Sequence, residues 1–163
     1  MFVEKLWFKK KSSLHGSGLF ASTNIKKSEK VIEYIGDKVT KKEGDKRADK
    51  QIKKAKKNKS NGMVYVFELN KKYDIDGGVA RNFARFINHS CNPNCEVEIT
   101  DNHIWISSIK QIKKGSELLY NYGYPFDSDF EDHICKCGFK KCVGYILSDD
   151  DWPKLKKTLN KKK

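Results

Sequence analysis

The sequence lacks most of what would carry a chain out of the cell or into a membrane. No apolar run approaches the roughly 18 residues needed to span a bilayer. The N-terminus, MFVEKLWFKKKSS, has no signal-peptide layout, because its basic residues follow a short apolar stretch. No internal repeat is visible. These absences predict an intracellular protein with no membrane contact. Inside a cell, five cysteines spaced as they are here read as metal ligands before disulfides.

Acidic residues are also missing, but only locally. Residues 38–59 hold eleven Lys and Arg against three acids, and the tail from Pro153 to Lys163 holds six Lys and no acid. These two segments account for the whole net charge of +13, leaving a near-neutral body. Apart from Arg47 they lack the arginines, and both lack the interleaved aromatics, that read base sequence. One expectation is two solvated segments that keep the protein soluble. The other is non-specific nucleic-acid contact, or attraction to an acidic protein surface. At 163 residues, with 37% hydrophobic and 12% aromatic residues, the chain is long and apolar enough for a real core, which excludes wholesale disorder.

Short runs rich in β-branched and aromatic residues predict strands at KVIEYIG (30–36), MVYVFEL (63–69) and SELLYNY (116–122), the last after the turn signal KKG. CEVEIT (95–100) and HIWISSI (103–109) flank Asp101-Asn102. Val97, Ile99, Ile104 and Ile106 alternate with other residues, which predicts a hairpin. Residues 40–59 form a helix candidate with a thin apolar stripe of Ala48, Ile52 and Ala55. Many short strands and few helices predict a mainly β fold.

Four stretches carry chemistry. HGSGLFA (15–21) matches G-x-G-x-x-A, but a dinucleotide-binding turn needs a strand before it and a helix after it. KKKSS and STNIKKSEK supply neither. What remains is a turn with two side chains deleted, where a ligand can approach the main chain. ARFINHSCNPNC (84–95) packs Arg, Asn, His and two Cys around a proline turn, and ELLYNYGY (117–124) holds three tyrosines. CKCGFKKC (135–142) offers three thiolates to a metal that wants four ligands. The unassigned donors are Cys91, Cys95 and the histidines.

In that order, and with VIEYIGD and the tyrosine of MVYVFEL, these stretches resemble the SET-domain protein lysine methyltransferases with a post-SET zinc segment. The resemblance covers about residues 3 to 147 and implies the SET fold: several small curved sheets, few short helices, and a C-terminal zinc-bound segment. It divides the chain into a SET domain at 1–125 carrying the basic insert at about 38–59, a post-SET segment at 126–147, and a basic tail at 148–163. It has the look of a minimal version, with no cysteine-rich pre-SET segment and no reader domain. The implied reaction moves a methyl group from S-adenosyl-L-methionine to a lysine amine of a histone or other basic protein, giving mainly mono- with some di-methyl product. The implied cofactors are S-adenosyl-L-methionine and Zn2+. The implied location is intracellular: the nucleus in a eukaryote, otherwise the cytoplasm or a host cell.

The resemblance also assigns residues. Cys91 becomes the fourth zinc ligand beside Cys135, Cys137 and Cys142, and Cys95 stays a free buried thiol. Tyr122 matches the catalytic tyrosine, Tyr65 a second tyrosine lining the lysine channel and contacting the cofactor, and Tyr120 a position that limits the number of methyl groups. Gly16, Ser17 and Gly18 offer backbone to the cofactor's methionine portion. Arg85, Asn88 and His89 hold the cofactor, and Cys137 with Gly138 closes over its adenine. The sequence departs from the usual pattern at His15, Ser17 and Asn121, none of which removes a catalytic group. Two other readings stay open: a zinc-stapled interaction module that has lost catalysis, and a basic nucleic-acid binder.

Overall fold

The computed structural model describes residues 4–57 and 64–161. Ten short strands make four small sheets. β1 (Trp7–Lys11) pairs antiparallel with β2 (Ser17–Ala21). β3 (Lys30–Tyr34), β9 (His103–Ser108) and β8 (Cys95–Thr100) form one three-stranded sheet. β4 (Asp37–Thr40), β6 (Tyr73–Asp76) and β5 (Val66–Glu68) form another. β7 (Asn88–His89) and β10 (Leu119–Tyr120) make a two-residue parallel pair. The fold is mainly β, as expected.

The β8–β9 hairpin turns at Asp101 (φ 53) and Asn102 (φ 62). Both central residues adopt the left-handed conformation, which matches the right-handed twist of the flanking strands. Val97 lies opposite Ile106 and Ile99 opposite Ile104, so the predicted alternation puts these four on one face. Ile104 and Ile106 enter the core, while Ile99, near the hairpin tip, remains 48% exposed.

The predicted strand 116–122 shortens to β10. Its backbone does pair along most of its length, but with several different partners. The Leu118 N–H donates to Leu19 O (2.8 Å), the Leu119 N–H to Asn94 Oδ1 (2.8 Å), and Tyr120 O accepts from Ser90 N–H (3.1 Å). A chain that changes partner every residue or two cannot form a long ladder. The predicted strand 63–69 begins in full only at Val66, and Met63 lies outside the described residues.

Two α-helices are present among the described residues, with three single-turn 3-10 helices at Ala84–Phe86, Phe130–Asp132 and Asp149–Asp151. α1 (Lys41–Lys57) is the basic segment. Thr40 Oγ1 accepts the Glu43 N–H (3.4 Å) at its start, and Gly44 and Ala55 are buried toward the sheet β4-β6-β5. α2 (Trp152–Lys161) is a finding that the sequence reading lacked. The expected solvated tail is an amphipathic helix. Leu155, with Trp152 and Leu159, packs on Phe130 and Leu147 to form a second apolar cluster. The larger cluster, including Leu19, Ile25, Ile87, Ile104, Ile106 and Leu118, joins the strands. No described helix is long and apolar enough to cross a membrane.

Candidate active site and metal centre

Beside the larger apolar cluster, which lends it Tyr34, Phe67, Tyr120 and Tyr122, lies a cavity of about 600 Å³. That is an ordinary size for a site enclosing a small molecule. Its floor comes from β7 and β10, one wall from residues 64–68, another from Leu14 and His15, and a lid from residues 132–137 and Ile146.

The cavity is lined with aromatic rings. Tyr34 sits 4.8 Å from Phe67 between ring centroids, Phe67 6.2 Å from Tyr120, Tyr120 4.9 Å from Tyr122, and Tyr122 5.9 Å from Tyr124. Tyr65 completes the lining. Tyr120 and Tyr122 are two residues apart on an extended chain, and both reach the cavity, as period-two geometry requires. Burial raises the phenol pKa of Tyr34, Tyr65, Tyr120, Tyr122 and Tyr124 alike, so all five are neutral donor–acceptor groups at physiological pH.

The hydroxyls differ in what they have left to offer. Tyr122 donates its proton to Ile87 O (2.9 Å), so only oxygen lone pairs face the cavity. Tyr34 donates to Tyr65 O (2.9 Å). The Tyr120 hydroxyl has no hydrogen-bond partner among the described residues.

His89 is committed inside the protein. Its Nδ1 accepts the Tyr122 N–H (3.2 Å), which puts the ring proton on Nε2, 3.7 Å from Cys91 Sγ. Burial lowers its pKa to about 4, so the ring is neutral. Its ring atoms line the cavity, but both nitrogens are already occupied. Asn88 donates to Glu117 Oε1 (2.8 Å) and to the carbonyls of His15 and Ser17 (3.3 Å each), tying the N-terminal turn to the floor. Among the described residues that line the cavity, Arg85 has a buried unsatisfied atom. Its Nε is buried without a partner, and its guanidinium carbon lies 4.8 Å from the Phe86 ring centroid and 5.7 Å from that of Tyr65. A cation on the cavity wall with no ion pair among the described residues fits a ligand that brings its own anion.

The N-terminal turn differs from the expectation in detail. Leu14 and His15, rather than Gly16 to Gly18, line the cavity. Gly18 is buried, and a side chain there would collide with the Glu117 carboxylate, so its glycine serves packing. Ser17 pairs with Lys11 in the β1–β2 ladder, and Gly16 is an exposed turn residue at φ +50. In the lid, Cys137 lines the cavity. Gly138, at φ +69, makes the turn beside it. Sequence reasoning gave no role to Tyr34, Phe67, Tyr124, His133 or Ile134. The available signal was the tyrosine in VIEYIGD and the third tyrosine of YNYGY.

The sulfurs of Cys91, Cys135, Cys137 and Cys142 all lie within 4.8 Å of one another. Cys91 Sγ is 3.7 Å from both Cys135 Sγ and Cys142 Sγ. A tetrahedral site with metal–sulfur bonds of about 2.3 Å has S···S edges of about 3.8 Å, so the donor set fits a closed four-thiolate centre. The Gly144 N–H donates to Cys142 Sγ (3.3 Å). Cys95 lies outside the group, 1% exposed in the core, and burial pushes its thiol up to about 12.

Residues 16–123 match the family model described as SET domain. The chain is 37% identical over 154 residues to the histone-lysine N-methyltransferase set-2 of Caenorhabditis elegans, covering 88% of this chain and 10% of that protein. It is 36% identical over 141 residues to the histone-lysine N-methyltransferase trithorax of Drosophila virilis, covering 83% and 3%. It is 35% identical over 141 residues to an H3 lysine-4 specific histone-lysine N-methyltransferase of Emericella nidulans, covering 83% and 11%. The chain therefore spans about a tenth or less of the length of these relatives.

Proposed function

Because this chain belongs to the SET-domain family, we propose that it is an S-adenosyl-L-methionine-dependent protein-lysine N-methyltransferase. The observation that carries the proposal is the aromatic cavity lined by Tyr122, whose hydroxyl proton is held by Ile87 O. S-adenosyl-L-methionine, when bound, supplies an electrophilic sulfonium methyl group. Arg85 and the Asn88-braced turn of Leu14 and His15 are the groups that would hold it, with Cys137 closing from the lid. The Arg85 Nε, buried with no hydrogen-bond partner among the described residues, supports a carboxylate-bearing ligand.

The residues of the chain do the rest by position and desolvation. A lysine side chain entering the channel leaves water for tyrosine and phenylalanine rings, which disfavours its charged form and lowers its pKa from about 10.4. The Tyr122 oxygen accepts an N–H from the amine and fixes the direction of its lone pair. Holding the amine in line with its electrophile, away from water, is most of the catalysis such a displacement needs. The four-cysteine group is proposed to hold Zn2+ as a structural ion, which fixes the lid.

The substrate is proposed to be a histone or another basic protein, since the relatives are histone-lysine methyltransferases by name. Such a substrate would put the protein at work inside a cell, in the nucleus of a eukaryote. A second partner is proposed from α1. Lys42, Lys46, Lys50, Lys53 and Lys57 are all exposed, and at 3.6 residues per turn they fall within about 80° of arc. That stripe favours contact with the phosphates of duplex nucleic acid.

Transfer of labelled methyl groups to core histones and to a cell lysate, with mass spectrometry of the labelled residue, tests the enzyme reading. Tyr122→Phe should cut the rate at least tenfold, about 1.4 kcal/mol of transition-state stabilisation, while cofactor binding survives. Cofactor binding by calorimetry without any transfer would favour the inactive module. Turnover unchanged in Tyr122→Phe would refute the role given to that hydroxyl.

A further inference from the structure

The basic helix α1 reaches the cavity through one residue. Gln51 Oε1 accepts the Tyr65 backbone N–H at 2.8 Å. The Gln51 amide nitrogen donates to Asp76 Oδ1 at 3.2 Å. Asp76 is itself anchored: Oδ1 also accepts the Gly78 N–H (3.0 Å), and Oδ2 accepts from Arg47 Nη1 (3.1 Å), one helical turn before Gln51. On the other side of the same residue, Tyr65 O accepts from Tyr34 Oη (2.9 Å) and from the Gly77 N–H (2.8 Å). Tyr65 lies just before β5, outside any strand. Its backbone is therefore held from three directions, and the N–H direction comes from a side chain on α1.

We infer that Gln51 is a positioning residue for lysine methylation: it fixes the Tyr65 backbone and, through it, the wall of the lysine channel. The inference rests on the methyltransferase reading of the cavity. Gln51 does not line the cavity, so it acts only through Tyr65. A glutamine suits this task. Its amide offers one acceptor to the Tyr65 N–H and one donor to the Asp76 carboxylate, so both ends of the amide are fixed at once. Asp76 and Arg47 in turn keep the amide from rotating. Ala48, half-buried, and Ala55, buried, are small residues on the inner side of α1 near Gln51.

Because Tyr65 stands on the channel wall, loosening it should harm the fit of the lysine more than that of the cofactor. The test compares Gln51→Met, which keeps the length and loses both hydrogen bonds, with Gln51→Glu, which keeps an acceptor for the Tyr65 N–H. Amide exchange at Tyr65, read by NMR, should speed up roughly tenfold or more in Gln51→Met and by less in Gln51→Glu, which keeps the acceptor for the Tyr65 N–H but turns a second carboxylate oxygen toward Asp76 Oδ1. The KM for a lysine peptide should rise at least about threefold in Gln51→Met, with cofactor Kd within about twofold. A residue that merely stabilises the fold would instead lower Tm and speed exchange across α1 and the sheet, and would weaken cofactor binding in parallel. That pattern, or unchanged Tyr65 exchange in Gln51→Met, overturns the inference. The exchange experiment needs no turnover, so it reads Gln51 even if the unmutated protein transfers no methyl group, a result that would defeat the enzyme reading instead.

Discussion

The Tyr120 hydroxyl stands in the cavity with no protein partner among the described residues, two residues from a Tyr122 hydroxyl whose proton is fully committed. A free hydroxyl in an aromatic channel occupies the volume a second or third methyl group would need. It also holds a water or the amine itself, and so resists the rotation that must precede a further transfer. The unmutated protein should therefore give mainly mono-methyl-lysine with some di-methyl-lysine. Tyr120→Phe should shift the product toward di- and tri-methyl-lysine without abolishing the first transfer. Mass spectrometry of a peptide at long times checks this, and abundant tri-methyl-lysine from the unmutated protein would count against it. At this scale much of the site was legible. The tyrosines of YNY stand out by their spacing, whereas the cysteine of NHSC was one of several unassigned donors that the family resemblance singled out and that the sulfur geometry groups with Cys135, Cys137 and Cys142. Less legible was which residue of a turn faces the cavity. The Leu14–Gly18 turn is oriented by Asn88 and Glu117, more than 70 residues later in the chain, and local sequence carries no trace of that contact.

The helices show the same difference between local and distant causes. α1 was legible because Ala48, Ile52 and Ala55 repeat at helical spacing. α2 was not, because lysines outnumber the three apolar residues that define its buried stripe. Trp152, Leu155 and Leu159 gain a purpose only when Phe130 and Leu147 are brought to meet them. The exposed face of α1 carries its own prediction. Lys42 to Lys57 spans about 22 Å of helix axis, long enough for several phosphates. Among the described residues, the ion pair on this stripe is Lys46 with Glu43, at 4.0 Å. Duplex DNA should bind with an affinity that falls steeply as salt rises. Replacing Lys46, Lys50 and Lys53 by Ala should flatten that dependence by about one unit of slope for each phosphate that a lysine no longer neutralises. Methyl transfer to a short peptide should be unchanged, since none of these lysines lines the cavity. Unaltered DNA binding, or binding only to acidic protein, would rule the stripe out as a nucleic-acid surface.

Across the whole molecule, two apolar clusters of unequal size are present among the described residues, and the cavity is walled by the larger one and covered by residues 132–137 and Ile146. The larger cluster holds fourteen buried residues and the strands built around them. The C-terminal one holds Phe130, Leu147 and Leu155 at its centre, a small core for residues 126–161. The two meet at the sulfur group, where Cys91 follows β7 and Cys135, Cys137 and Cys142 belong to the lid. A core of that size does little to hold a lid in register, whereas a structural zinc site contributes about 10–16 kcal/mol in small domains. The metal is thus expected to set the position of Ile134, Lys136, Cys137 and Ile146 over the cavity. The purified protein should carry one zinc ion. Chelation should leave the core amides of β3, β8 and β9 protected, while protease cuts appear between about Gly123 and Cys135. Cofactor binding and methyl transfer should be lost together and return when Zn2+ is added back. Any one of Cys91→Ser, Cys135→Ser, Cys137→Ser or Cys142→Ser should behave like the chelated protein. Cys95→Ser should keep both metal and activity, because its thiol is a core group away from the cluster. Full activity in metal-free protein would show instead that the α2 cluster alone holds the lid. Metal loss from Cys95→Ser with retention in Cys91→Ser would reverse the ligand assignment.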